Sequence, residues 1–287
     1  MKNIFYKSLF WIVGILISIS LIIFLYLFAF YFNFFGALEN SGSNIKNSYP
    51  DQLVQRKIQA QIEVSNRDTQ ILFGDTHVHS TYSTDAFLWS LPNSQGEGPH
   101  LMADACDYAR FCSAIDFWVM TDHAEASTPR KWGETIKAVQ NCNKVNENKN
   151  IKDLFSFVGF EWTQISPNIE DHFGHKNVIF LETDNNLLPG VPFGAAGYSS
   201  DNFRDNSNLS TVRQNMLGSA VVDFSNRQRY ADFLGFVEEI LDHPDCDLKD
   251  PDPRNCYRSV VTPKDLFEVL NTVESDSIVI PQGNTWG

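Results

Sequence analysis

The chain has 287 residues, 43% of them hydrophobic and 13% aromatic, with 22 Lys+Arg against 35 Asp+Glu, a formal charge of −13 and five Cys. That is enough chain for one large domain or two small ones, and collagen, coiled-coil and low-complexity architectures are excluded. The acidic balance argues against a nucleic-acid partner, because phosphate neutralisation needs clustered Lys and Arg, and the absence of a CxxC pair excludes zinc-finger chemistry.

From Leu9 to Phe32 the sequence is almost wholly apolar, broken only by Gly14, Ser18 and Ser20. At about 1.5 Å per residue the run exceeds the roughly 30 Å hydrocarbon core of a bilayer, so residues 9–33 are expected to form a transmembrane helix. Lys2 and Lys7 precede the span and no basic residue follows it until Lys46. By the positive-inside rule residues 1–8 are then cytoplasmic and the main body lies outside, in the periplasm, with the lipid bilayer as one partner. Residues 34–70 read as a stalk and lead-in, in which Pro50 to Glu63 forms a short helix or an extended arm.

From residue 71 onward, short apolar runs alternate with helical patterns. Strands are expected at Ile71 to Val78, Phe117 to Met120, Leu154 to Phe160, Asn177 to Leu181 and Ser277 to Pro281. Helices are expected at His100 to Ala114, Thr128 to Val145, Arg227 to Leu241 and Thr262 to Val273, the second capped by Thr128 with Pro129 at its first position. This rhythm predicts an α/β fold with a parallel sheet covered on both sides, or a barrel. Residues 183–226, rich in Asn, Ser, Gly and Asp, read as a loop excursion or lid. Cys246 and Cys256 bracket a Pro- and Asp-rich loop that a disulfide would staple, and Cys142 could pair with Cys106 or Cys112, leaving one thiol over.

The chemistry gathers where the strands end. In Phe73-Gly74-Asp75-Thr76-His77-Val78-His79 the side chains of Asp75, His77 and His79 share one face of an extended strand. Imidazoles two residues apart on a strand can bind one cation or two adjacent ones, with the Asp as ligand or supporting partner. The second strand runs into Thr121-Asp122-His123, the third into Glu161, and Asp171, His172 and His175 precede the fourth. Parallel α/β folds place reactive groups at the carboxyl ends of strands, so these endings should meet around one mouth. Five of the seven histidines, His77, His79, His123, His172 and His175, fall beside strand ends. Asp85 is a further candidate ligand, or equally a turn cap, and His175 is favoured over His172. His100 is expected to begin a helix, and His243, in Asp242-His243-Pro244, to be a structural turn residue.

Asp75-x-His77-x-His79, Thr121-Asp122-His123, Glu161 and Gly174-His175 resemble the successive motifs of the PHP (polymerase and histidinol phosphatase) superfamily. More narrowly, the segments around them are similar to a large bacterial PHP-like family that is itself of unknown function. The resemblance covers roughly residues 71–287. It implies a distorted (β/α)7 TIM-like barrel binding two or three divalent ions, usually Zn, Mn or Fe, and most characterised members are phosphoesterases. On that basis His77 and His79 would ligate a first metal, Glu161 would bridge two, and His123 and His175 would complete the cluster, with Asp75 and Asp85 as additional ligands and Glu161 and Asp122 as the catalytic carboxylates. The metals would activate water for attack on phosphorus or on a carbonyl, giving a phosphoesterase acting on a small, possibly phosphorylated molecule or, as a second reading, an amidohydrolase. Arg110, Arg130 and Arg204 are candidate phosphate clamps. The superfamily's terminal Asp-x-His has no counterpart after His243, and Gln282 stands where His is expected. With about five strands visible where seven are expected, the barrel is expected to be incomplete at its C-terminus. A noncatalytic module retaining part of the metal site is therefore the rival expectation.

Overall fold

The computed structural model describes residues 2–44, 52–64, 69, 71–145, 153–198, 203–246 and 256–282. The chain divides into two compact units, residues 1–38 with 207–238, and residues 39–206 with 239–287. Segment 207–238 thus groups with the N-terminal helix, where the sequence had suggested one continuous domain from residue 71.

In the first unit, helix α1 (Lys2–Tyr31) is long and apolar enough to cross a membrane. It stops in a C-terminal motif built on Asn33, which takes a left-handed φ of 54°. The Phe34 amide donates to the Ala29 carbonyl at 2.8 Å and the Asn33 amide to the Phe30 carbonyl at 2.9 Å, satisfying carbonyls that the helix end would leave open.

The second unit is a mixed α/β body. Helix α2 (Gln52–Val64) is not a free stalk: Lys57 Nζ donates to the carbonyls of Ile115 and Asp153, and Gln61 Nε2 to Asp116 Oδ1 at 3.0 Å. The main sheet has the order β1-β2-β3-β4-β7 and curls into a half-barrel. Its strands are β1 (Gly74–Val78), β2 (Phe117–Met120), β3 (Phe155–Gln164), β4 (Gly174–Phe180) and β7 (Ser277–Gln282). The first three are parallel, whereas β4 runs antiparallel to both β3 and β7, so the expected all-parallel sheet is not formed. The reason lies in β3. Its first half pairs with β2, and its second half continues past the end of β2 as the partner of β4, from Gly159↔Ile179 to Gln164↔Gly174. A short connection between β3 and β4 suffices for antiparallel strands. Gly159 is required where the pairings change over, since a Cβ there would lie 2.5 Å from the Val178 carbonyl oxygen.

The expected excursion at 183–226 contains regular structure instead: β5 (Phe193–Ala195), paired parallel with β6 (Arg258–Val260), and helix α6 (Leu209–Val222). Helix α3 (Thr84–Ser90) follows β1. The helix expected from His100 to Ala114 is α4 (Met102–Asp107), continued by a wider-wound turn over Tyr108–Cys112, and His100 lies outside it. Helix α5 (Pro129–Lys144) begins as expected, with the Thr128 hydroxyl accepting from the Lys131 amide. Helices α7 (Arg227–Asp242) and α8 (Pro263–Leu270) follow, the latter opened by a reciprocal Thr262–Asp265 capping box.

One sheet face packs the core. Trp118, Met120, Val158, Phe160, Trp162, Val178 and Phe180 meet Met102, Trp132, Ile136, Val139, Leu266 and Leu270 of the helices, all under 10% exposed. The other face carries Phe117, Val119, Phe157, Ile179, Ile278 and Ile280 around a groove of about 590 Å³. By strand alternation Glu161, His175, Asn177 and Gln282 continue this same face towards its other end. Disulfides join Cys106 to Cys142 and Cys246 to Cys256, leaving Cys112 free and exposed; the loop 247–255 lies outside the described residues.

Candidate metal centre

Four imidazoles converge on one buried carboxylate. Glu161, 2% exposed, sits in the middle of β3 rather than at a strand end, because the antiparallel pairing carries β3 on to Gln164. His79 Nε2 lies 2.8 Å from Glu161 Oε2, His123 Nδ1 3.7 Å and His77 Nε2 3.9 Å from the same oxygen, while His175 Nδ1 lies 2.6 Å from Oε1. Asp85 extends the cluster, with Oδ1 3.7 Å from His79 Nδ1 and Oδ2 3.6 Å from His123 Nε2. Two overlapping sets, His77-His79-Glu161 and His79-Asp85-His123, each offer ligand atoms within 4.8 Å of one another.

His79 Nε2 and Glu161 Oε2 are buried and close, yet not aligned as a hydrogen bond, and neither has another hydrogen-bond partner. Other buried polar atoms also lack partners, but these two face each other at 2.8 Å, and a pair of lone-pair atoms aimed at a shared point is what a cation would satisfy. Charge agrees with geometry. Burial alone would lower the His79 pKa, but contacts with Asp85 and Glu161 and the charge of Asp122 outweigh it and raise it to about 10. His123 is likewise raised against burial, mainly by Asp85 and Glu161. For Asp85 and Glu161 burial pushes the carboxyl up, but His123, His79 and, for Glu161, His175 hold it well below the usual range. A pocket that keeps buried imidazoles charged is one whose field favours a divalent cation, and imidazole with carboxylate suits Zn, Mn or Fe.

Two sequence candidates stand differently. Asp75 is exposed, and its Oδ1 accepts from the His77 amide at 2.9 Å, where a register shift interrupts β1; it belongs to neither ligand set. Asp122 has both oxygens occupied: Oδ1 accepts from the Ser80 amide at 2.6 Å and the Ser83 hydroxyl at 3.2 Å, and Oδ2 from the Ser80 hydroxyl at 2.7 Å. Burial raises its pKa. It ties the turn after His79 to the strand end before His123. His172 Nδ1 accepts from the Ser166 amide at 3.2 Å.

The candidate clamps are all engaged. Arg110 is buried against Asp153 at 3.0 Å, Arg130 pairs with Glu239 at 2.7 Å and Glu134 at 3.0 Å, and Arg204 packs over Tyr257 and reaches Asp245 at 3.1 Å. Beside the cluster a groove of about 470 Å³ opens, bordered by Asp75, His77, His79, His100, Asp104 and Tyr108, with no Lys or Arg among its lining residues.

Apart from Gln282, the residues that support the cluster were missed. Asn177 Nδ2 donates to the Thr76 carbonyl at 2.8 Å, which fixes the amide and turns Oδ1 towards His77 Nδ1 at 3.1 Å. Thr163 Oγ1 lies between His123 Nδ1 at 2.8 Å and His175 Nδ1 at 3.1 Å. Gln282 Nε2 reaches His77 Nδ1 at 2.6 Å, Asn177 Oδ1 at 3.0 Å and Glu161 Oε1 at 3.3 Å. Glu125, 3% exposed, approaches His123 Nδ1 at 3.9 Å. The signal was period two: Thr163 follows Glu161, Asn177 follows His175 and Glu125 follows His123 at the spacing that joins His77 to His79. Across β3 and β4, Glu161 pairs with Asn177 and Thr163 with His175.

A family model described as "Protein of unknown function (DUF3604)" matches residues 66–151, the stretch that contains His77, His79, Asp85, Asp122 and His123. No curated protein and no solved structure matches the chain.

Proposed function

We propose that the chain is a metal-dependent hydrolase of PHP type, most simply a phosphoesterase, anchored in a membrane by residues 9–33 with its catalytic body on the periplasmic side. The observation that carries the reading is the convergence of His77, His79, His123 and His175 on Glu161, with His79 Nε2 and Glu161 Oε2 left without hydrogen-bond partners. His77, His79 and Glu161 would hold one cation, His79 or His123 with Asp85 a second, and His175 the far oxygen of Glu161. Bound divalent ions would supply Lewis acidity, activating water and neutralising charge on the attacked phosphoryl group or carbonyl. The chain's own part is preorganisation. Asn177 orients His77, Thr163 spaces His123 from His175, and Asp122 fixes the turn between the ligand-bearing segments. The curled half-barrel supports a (β/α)7 barrel as the parent fold, and the motif order supports the PHP superfamily. The groove beside His77 is acidic and lacks Lys and Arg, which favours a substrate of low negative charge over a polyphosphate.

The purified full chain, loaded with Zn, Mn or Fe, should bind at least two ions per chain and hydrolyse p-nitrophenyl phosphate or its diester, and His77→Ala or His79→Ala should abolish both. Turnover of amides or lactones alone would move the assignment to an amidohydrolase. A second reading is favoured by Gln282, whose amide closes one side of the cluster where the superfamily leads one to expect imidazole. Metal binding without turnover of any of these substrates would identify a noncatalytic module.

A further inference from the structure

We propose that the tip formed by the end of α6 and the residues after it, Val221 to Arg227, is a second membrane contact that rests in the lipid headgroup region beside α1. The inference rests on the reading of α1 as a membrane span and adds to it a surface that the sequence hid in a supposed surface loop. Residues 6–25 of α1 are all exposed. At about 1.5 Å per residue they cover about 30 Å, the thickness of the hydrocarbon core. Protein packing starts where that length ends: Tyr26 is half-buried and Phe30 is 1% exposed.

The depth of α6 can be read from its ring contacts. Near its start, the Arg213 guanidinium lies 5.8 Å from the Tyr31 ring and 5.7 Å from Phe32, and it pairs with Glu238 at 2.7 Å. Beyond its end, the Phe224 ring lies 6.0 Å from the Tyr26 ring, which also stacks on Phe35 at 5.4 Å. From the Tyr31 level to the Tyr26 level is about 7.5 Å along α1, so α6 descends towards the lipid-facing stretch as it runs to its C-terminus. Three residues there are apolar and uncovered, Val221 at 57% exposed, Val222 at 90% and Phe224 at 55%, while the intervening Asp223 is tied up by Ser225 Oγ at 3.0 Å and Asn226 Nδ2 at 2.9 Å. A side chain as apolar as Val222, nine-tenths exposed and level with the end of the hydrocarbon-length stretch, is explained by lipid in place of water. Arg227 completes the surface. Its guanidinium lies 4.4 Å from the Phe224 ring and donates to the Phe224 carbonyl at 2.9 Å, placing a cation at headgroup height beside an aromatic ring, as interfacial belts do.

The test uses the full chain with Cys112→Ser, reconstituted in phosphatidylethanolamine–phosphatidylglycerol vesicles. Single cysteines replace Val222, Ile15 and Ser210 in turn, each carrying an environment-sensitive fluorophore. Ile15 lies in the span, and Ser210 lies about 18 Å from Val222 along α6. Expected are a blue shift and loss of emission at Val222 with a nitroxide near the lipid headgroup, loss at Ile15 with a nitroxide at the chain end, and iodide quenching alone at Ser210. Loss at Ile15 but none at Val222 overturns the proposal and leaves the anchor standing. Absence of lipid quenching at Ile15 overturns the anchor reading and the proposal together. A Val222 probe shielded from iodide yet untouched by lipid nitroxide shows a protein cover, and also overturns it.

Discussion

His123 and Glu161 lie opposite each other as bridge partners, His123 beyond the end of β2 and Glu161 within β3, with Nδ1 3.7 Å from Oε2. Backbone pairing therefore sets the distance between an imidazole and the shared carboxylate, leaving little to side-chain freedom. Because Glu161 faces all four imidazoles, including the His79 and His123 of the second ligand set, its removal should affect both sets. Glu161→Gln keeps the volume and removes the charge; metal affinity should fall by more than the roughly 10- to 100-fold typical of supporting residues. Metal titration followed by calorimetry checks this. Loss confined to one of two ions would show that the carboxylate is not shared.

Asn177 should act through His77. Its amide nitrogen is held by the Thr76 carbonyl, so its oxygen sits 3.1 Å from His77 Nδ1 and accepts from Gln282 Nε2 at 3.0 Å, and the two amides together hold the Nδ1 side of the ring and leave Nε2 facing Glu161. Asn177→Ala should lower metal affinity by about 10- to 100-fold, while Asn177→Asp, which keeps an oxygen at that position, should recover most of it. Equal losses in both variants, or a matching loss of thermal stability, would make Asn177 a packing residue only.

What the sequence made legible was local. The strand cores, the Thr128 cap and the positions of the clustered histidines follow from alternation and capping, which act over a few residues. The reversal of β4 did not, because its apolar run from Asn177 reads alike in either direction, and only the handover of β3 from one partner to the next decides it. The same handover moved Glu161 from a strand end to a strand interior. Asp75, read as a ligand or supporting partner, lies outside both ligand sets, because the strand shifts register between it and Val78. Arg110 read as a clamp since nothing local shows that Asp153 waits for it, and Asn177 and Thr163 went unseen because amides and hydroxyls announce no metal chemistry by themselves.

The Arg110–Asp153 pair should be a large stabilising contact only in the sense that breaking it is costly. Both side chains are 2% exposed and 3.0 Å apart, and Arg110 also donates to the Cys142 carbonyl at 2.9 Å. Arg110→Met leaves a buried carboxylate unpaired and should cost about 3–5 kcal/mol, whereas Arg110→Met with Asp153→Leu should recover much of that. Urea denaturation of the three proteins measures it. If the single variant costs under about 1 kcal/mol, the pair is better solvated than its burial implies.

His243 should make stability depend on pH in mildly acid solution. It is 8% exposed, its Nε2 lacks a hydrogen-bond partner, and burial, aided by the charge of Arg204, lowers its pKa to about 4. Unfolded, it titrates near 6.5. Between those values the unfolded chain binds the extra proton, so stability rises with pH across the window and is lost as pH falls from about 6.5 towards 4. A shift of this size corresponds to a few kcal/mol, on the order of 3 at full development. His243→Gln removes the titration, and subtracting its stability profile from that of the unsubstituted chain cancels the contributions of Asp85, Glu161 and His79. The difference should slope upward through the window and be flat above it. A flat difference throughout would mean that His243 takes up its proton in the folded chain as readily as in the unfolded one.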